Sequence, residues 1–134
     1  MDSRSVETTL AQITLVFLLV YVPVETYISW SDAYSLLNPF YVVDLVAMVL
    51  LFYGSVRSLR ARPRTAPGIL CAAYGWASAN GWRATWDRVF EVMEGGRLSY
   101  GTAELSAVGC ATACGLACFA LSLWLVAHGD SKPV

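Results

Sequence analysis

Charge is scarce in this chain of 134 residues: Asp, Glu, Lys and Arg together make up 14%, against about 25% in a soluble domain. Histidine is scarcer still. His128 is the single one, which excludes a bis-histidine haem within one chain. The sequence has no Cys-x-x-Cys, no zinc-ligand spacing, no glycine-rich phosphate loop and no Ser-His-Asp set. It therefore gives no reason to expect a metal or a cofactor. Internal repeats, low-complexity tracts and a soluble second domain are also lacking, so residues 1–134 read as one domain.

What the chain has instead is apolar sequence. Hydrophobic residues reach 57% and are concentrated in four blocks. Thr9 to Tyr27 carries Glu25 alone, Asn38 to Val56 carries Asp44, Ala66 to Trp86 carries Arg83, and Ala103 to Ala127 carries Glu104. Each is close to the ~20 residues a helix needs to cross ~30 Å of hydrocarbon. A soluble bundle would show a polar stripe on every helix, and blocks one, two and four have too few polar residues for one. The expected fold is all-α: an integral membrane four-helix transmembrane bundle, with helices at about 9–29, 38–56, 66–93 and 103–127. The third continues past its apolar block through the amphipathic stretch Asp87–Glu94, until Gly95-Gly96 stops it. Pro23 should kink or open the last turn of the first helix. That first block reads as a span rather than a leader peptide. Ser31 and Ala33 loosely match a cleavage site, but Asp2 and Glu7 spoil the basic start and the apolar run is long.

Arginine sets the expected orientation. Arg57, Arg60, Arg62 and Arg64 crowd the link between helices two and three with no acid among them. The positive-inside rule makes that link cytoplasmic. Four spans then bring both termini, with Arg4 and Lys132, to the same side, leaving Arg83, Arg88 and Arg97 on the other. Beside two spans, this cluster reads as topology and anionic-lipid contact rather than nucleic-acid binding. Tyr27, Trp30, Tyr34, Phe40, Tyr41, Trp82, Trp86 and Tyr100 mark the outer boundary as an aromatic belt.

With that topology Glu25, Asp44, Arg83 and Glu104 arrive at one depth in the outer leaflet from four different helices. Ionised groups cost ~2.5–3.5 kcal/mol at mid-membrane and normally face the bundle interior in pairs. Arg83 is expected inside the bundle, paired with one or two of the carboxylates, Asp44 first because it is deepest. Tyr21 and Asn80, one turn from Glu25 and Arg83, can join the network. Tyr21, Glu25, Asp44, Asn80, Arg83 and Glu104 are thus the candidate ligand-binding residues. The competing interpretation is a network that only fixes helix register.

Cys110, Cys114 and Cys118 share one stripe of helix four among Gly109, Ala111, Ala113, Gly115 and Ala117. This reads as a small-residue packing face, on which Gly109→Leu or Gly115→Leu should overpack and Cys114→Ala should be mild. Thiols one helical turn apart have poor disulfide geometry.

Tyr21-Val22-Pro23-Val24-Glu25, together with Asp44, loosely resembles the emopamil-binding, sterol-isomerase-like group, small bundles with acids on neighbouring helices and aromatic walls. The likeness covers two helices, and Tyr21 stands where that group has a histidine, so no family is assigned. The expected function is that of a small multi-pass membrane protein: a binding or accessory protein whose partners are the bilayer, a lipophilic small molecule, and a second copy or a larger membrane complex. The alternatives are a membrane enzyme acting on a sterol- or isoprenoid-like substrate by acid/base chemistry, with Asp44 or Glu25 as the acid or base, and, less favoured, a proton- or cation-coupled transporter.

Overall fold

A computed structural model describes residues 3–31, 39–60, 66–98 and 101–128, with side chains described except at 28–31, 39, 40 and 66. Four helices make up the fold: α1 (Ser3–Ser31), α2 (Pro39–Leu59), α3 (Ala66–Met93) and α4 (Thr102–His128). The belt residues Trp30, Tyr34, Phe40 and Tyr100 lie outside the described side chains, as do Arg62, Arg64 and Lys132.

The helices run up, down, up and down. Thr26 near the end of α1 meets Tyr41 at the start of α2, with their hydroxyls 3.1 Å apart. Gly54 near the end of α2 lies against Ile69 and Leu70 in the first turn and a half of α3. Arg88 near the end of α3 meets Glu104 in the first turn of α4. The Arg57 end of the bundle is called proximal below, and the opposite end distal. α3 packs most extensively on α4 and then on α2; α1 packs on α2 and touches α4 more narrowly, which closes the ring.

Burial is inverted relative to a water-soluble bundle. Val16 and Leu19 are 64% and 76% exposed, whereas Thr14, Ser55 and Ser122 are completely buried. Exposed apolar surface on this scale and buried hydroxyls are the arrangement for hydrocarbon surroundings, not water. Two of the buried hydroxyls use helix carbonyls one turn back: Thr14 donates to Leu10 O at 2.7 Å and Thr112 to Val108 O at 2.9 Å. The core between them is Val6, Leu10, Leu18, Met48, Leu51, Leu70, Ala73, Tyr74 and Leu125.

Among the described residues, three helices are long and apolar enough to cross a membrane: Ser3–Tyr27, Tyr41–Leu59 and Thr102–His128. At 28 residues α3 is long enough, but its apolar stretch is diluted by glycines, Ser78, Asn80 and Arg83. It is also the helix broadly covered on two sides, by α2 and α4. Flanking helices shield Ser78 and, in part, Asn80, so its own sequence can be less apolar.

α1 begins about two turns before its apolar block. Val6 and Leu10 are buried in the core, and that packing holds the polar first turns helical. Nor does Pro23 open the helix, which continues through it to Ser31. α3 ends where Gly95, at φ +82°, donates to Val92 O and Gly96 donates to Glu91 O. This is the left-handed glycine cap that satisfies the last carbonyls.

Candidate functional site

The α3–α4 seam determines what stands at the distal end. On α3 the facing residues are Gly75, Ser78, Gly81, Thr85 and Arg88, spaced by three or four. A Cβ on Gly75 would come within 3.1 Å of Phe119, and one on Gly81 within 2.7 Å of the Thr112 hydroxyl. Only glycine lets the backbones approach this closely. Thr85 and Thr112 place their hydroxyls 3.1 Å apart across the seam, and Thr85 donates to Gly81 O at 2.7 Å. The row ends at Arg88, whose Nε donates to Glu104 Oε1 at 2.7 Å and whose Nη1 donates to Ala84 O at 3.1 Å.

Arg88, not Arg83, is therefore the guanidinium of the seam. Arg83 is exposed, which corrects the expectation that it lies in the bundle interior. The reason is helical phase. Five residues separate the two arginines, which turns them well apart around the helix axis, and the inward phase belongs to Gly81, Thr85 and Arg88. The sequence carried this signal: the small and polar residues at 75, 78, 81 and 85 lead directly to 88. It was missed because Asp87–Glu94 has the composition of a solvated extension. Arg83 nonetheless lies within Coulombic reach of Asp44.

α1 and α2 bring the remaining carboxyls. The Thr26–Tyr41 contact fixes their distal ends together, and Glu25 precedes Thr26 while Asp44 lies one turn along from Tyr41. Tyr21, Glu25 and Asp44 are all part-buried. Asp44 and Glu25 are within Coulombic reach of each other, and Tyr21 of both. Arg88 acts on Glu25 and Tyr21 as well as pairing with Glu104. Four helices thus contribute to one layer: Tyr21 and Glu25 from α1, Asp44 from α2, Arg88 from α3 and Glu104 from α4. Below it, Phe17 stacks on Tyr21 with ring centroids 5.0 Å apart, and Trp76 Nε1 donates to Val43 O at 3.2 Å, fastening α3 to α2 beside Asp44. Asn80 Nδ2 is buried with no partner among the described residues. On the outer side of α3, exposed Trp82, Trp86 and Phe90 form an aromatic ladder, with centroids 5.9 and 5.8 Å apart.

The cysteine stripe on α4 is not a packing face within this chain. Cys110 and Cys114 are exposed and Cys118 is half-buried beside Tyr74. The inward phase of α4 belongs to Thr112, Gly115 and Ser122 instead. Gly109 has nothing within 4 Å of a Cβ placed on it, whereas one on Gly115 would lie 3.2 Å from Ser78 Oγ. Overpacking therefore applies at Gly115 and not at Gly109. No group of three or more His, Cys, Asp or Glu suited to a metal ion occurs among the described residues. At the proximal end His128 stacks on Trp124 and places Nδ1 3.0 Å from its carbonyl. No family model matches the chain, and neither does a curated protein or a solved structure.

Proposed function

We propose that this chain is a multi-pass membrane binding protein whose distal layer of Tyr21, Glu25, Asp44, Arg88 and Glu104 holds the polar head of a lipophilic ligand, with the ligand's apolar part lying along the helices. All four helices span, α3 included, and both termini and the Arg57–Arg64 link face the cytoplasm, so the layer lies in the outer leaflet. The arginine distribution supports this orientation.

One observation carries the reading. Glu25 and Asp44, two part-buried carboxyls on neighbouring helices, lie within Coulombic reach of each other. A network that only fastens helices pairs opposite charges. Two like charges in a low-dielectric layer cost stability and are kept where a ligand, a proton or a cation uses them. Glu25, Asp44 and Glu104 against Arg88, with exposed Arg83 within Coulombic reach of Asp44, also leave the layer short of positive charge. A ligand head that donates hydrogen bonds or carries positive charge fits that deficit.

The test is purification in mild detergent followed by native mass spectrometry and organic extraction. A lipophilic molecule retained by the natural chain and lost from Glu25→Gln and Asp44→Asn variants is the expected result. Equal retention in all three would sink the proposal. Tyr21, within reach of both acids, favours a second reading in which the pair performs acid/base chemistry on the ligand; recovery of a chemically altered ligand would select it.

A further inference from the structure

Buried polar atoms without partners are few among the described residues, and three of them fall within one turn of α2, at the opposite end of the bundle from the carboxyl layer. They are Ser55 Oγ, Arg57 Nε and Ser58 Oγ. Ser55 is completely buried, while Arg57 and Ser58 are part-buried. Ser55 and Ser58 stand three residues apart, so they lie one above the other on a single helix face, and Arg57 adjoins Ser58 about a quarter-turn round the helix. Arg60 follows on the same helical turn, its N–H donating to Val56 O at 3.0 Å, with its side chain exposed.

The neighbouring element adds positive potential. A Cβ on Gly54 would sit 3.1–3.2 Å from Leu70 and Ile69, so the start of α3 packs against this turn. The first N–H groups of a helix lack partners within it, and they form its positive end. Arg57 in the last turn of α2 offsets the negative end of that helix. Guanidinium nitrogens can only donate, and both serine hydroxyls can turn to donate. The acid nearest this end on α1, Glu7, forms no ion pair with Arg57. Among the described residues, Ser55 Oγ, Arg57 Nε and Ser58 Oγ have no acceptor or donor partner, so the turn presents donors beside cationic charge.

We propose that the Ser55–Arg60 turn, with the first turn of α3 beside it, is a binding site for a phosphate-type oxyanion, carried on the headgroup of an anionic membrane lipid or free in water. Arg57 and Ser58 hold the oxyanion oxygens directly, Arg60 closes over it from the exposed side, and Ser55 backs the site from within. A neutral water could accept one of these bonds but would leave the charge of Arg57 and Arg60 uncompensated. An anionic oxygen accepts from the Ser58 hydroxyl and the guanidinium. The site does not depend on the distal layer and can fail or stand separately from it.

The full chain in nanodiscs tests this. In phosphatidylcholine discs, added phosphatidylglycerol should raise the melting temperature saturably, and native mass spectrometry should show one tightly retained anionic lipid. The Arg57→Gln/Ser58→Ala variant should lose about tenfold or more of that retention, the scale of a hydrogen bond to a charged group. Inorganic phosphate added to phosphatidylcholine discs is the second arm; a shift there that the same variant abolishes assigns the site to free oxyanion. Ser55→Ala guards against simple misfolding. It removes a stranded hydroxyl, so it should leave the melting temperature in phosphatidylcholine unchanged or higher while reducing the phosphatidylglycerol gain. Glu25→Gln, at the far end, should bind phosphatidylglycerol as the natural chain does. Equal response to both lipids and none to phosphate overturns the proposal, as does undiminished binding by Arg57→Gln/Ser58→Ala.

Discussion

Arg88 Nε lies 2.7 Å from Glu104 Oε1 and ties the distal end of α3 to the first turn of α4. The side chains retain 32% and 18% of their exposure, so the pair is neither free in water nor fully buried. Exposed pairs contribute ~0–1 kcal/mol, and breaking a buried one costs ~3–5 kcal/mol. Arg88→Ala is therefore expected to destabilise the bundle by about 1–2 kcal/mol, between those limits. Glu104→Gln alone should cost less, because the amide oxygen still accepts from Arg88. Unfolding titrations in detergent of both single variants and the double variant check this. Strict additivity would mean the pair contributes nothing.

The close approach of α3 and α4 makes Gly81 and Gly109 opposite cases. A Cβ on Gly81 meets Thr112 Oγ1 at 2.7 Å, while one on Gly109 meets nothing. Gly81→Ala should cost about 1–3 kcal/mol by overpacking, and Thr112→Ala should relieve part of it by removing the hydroxyl that the new Cβ meets. Gly109→Ala should be neutral or stabilising by about 0.5–1 kcal/mol, since alanine is the better helix residue. Thermal melts of the three variants in one detergent would decide; a Gly109→Ala loss as large as that at Gly81 would mean another chain packs there.

Tyr74 on α3 reaches across the bundle to share a hydrogen bond with Thr14 on α1. Thr14 also donates to its own helix at Leu10 O, so losing the tyrosine hydroxyl does not strand it. Tyr74→Phe should thus cost only ~0.6 kcal/mol, the average for hydrogen bonds between membrane helices, with ~1.7 as the ceiling. A loss well above that in an unfolding titration would show that the hydroxyl also serves Cys118, which lies beside it.

What the sequence made legible and what it hid follow from the range of the physics involved. Crossing hydrocarbon is a local demand for length and apolarity, so α1, α2 and α4 can be read directly from their blocks. α3 shows the limit: Ser78 and part of Asn80 are covered by neighbouring helices, and coverage is a tertiary fact. The layer at Glu25, Asp44 and Glu104 could be anticipated from depth alone. Which arginine turns inward could not, because depth is common to Arg83 and the next turn of α3, whereas phase separates them. Gly81, Thr85 and Arg88 set that phase through contacts with α4. Likewise composition made the cysteine stripe of α4 look like a seam, yet the seam formed through Thr112 and Gly115, where α3 offers a matching glycine and serine.

Orientation is checked in a background where Cys71, Cys110, Cys114 and Cys118 are replaced by alanine. Arg62→Cys should be labelled by a membrane-impermeant maleimide only after permeabilisation, and Gly96→Cys from outside intact cells. Labelling at position 62 from outside would invert the topology and move the carboxyl layer to the inner leaflet, leaving its chemistry unchanged.

The two carboxyls on α1 and α2 separate a site from a fastener most sharply. If Glu25 and Asp44 exist to hold a ligand, they repel each other in the empty protein, and neutralising either should not weaken it. Asp44→Asn and Glu25→Gln are then expected to leave the ligand-free bundle as stable as the natural chain or more so, by on the order of 1 kcal/mol for part-exposed like charges. The same substitutions should abolish the added stability that co-purified ligand gives the natural chain, because binding to the folded state alone raises its stability. Delipidated and native-lipid preparations of each variant, melted side by side, provide both readings. A structural fastener predicts the reverse: Asp44→Asn would strip a partner from the nearby Arg83 and Glu25→Gln one from Arg88, and the empty protein would lose stability. If both variants melt well below the natural chain without ligand, the carboxyls hold helices together and the binding function falls with them.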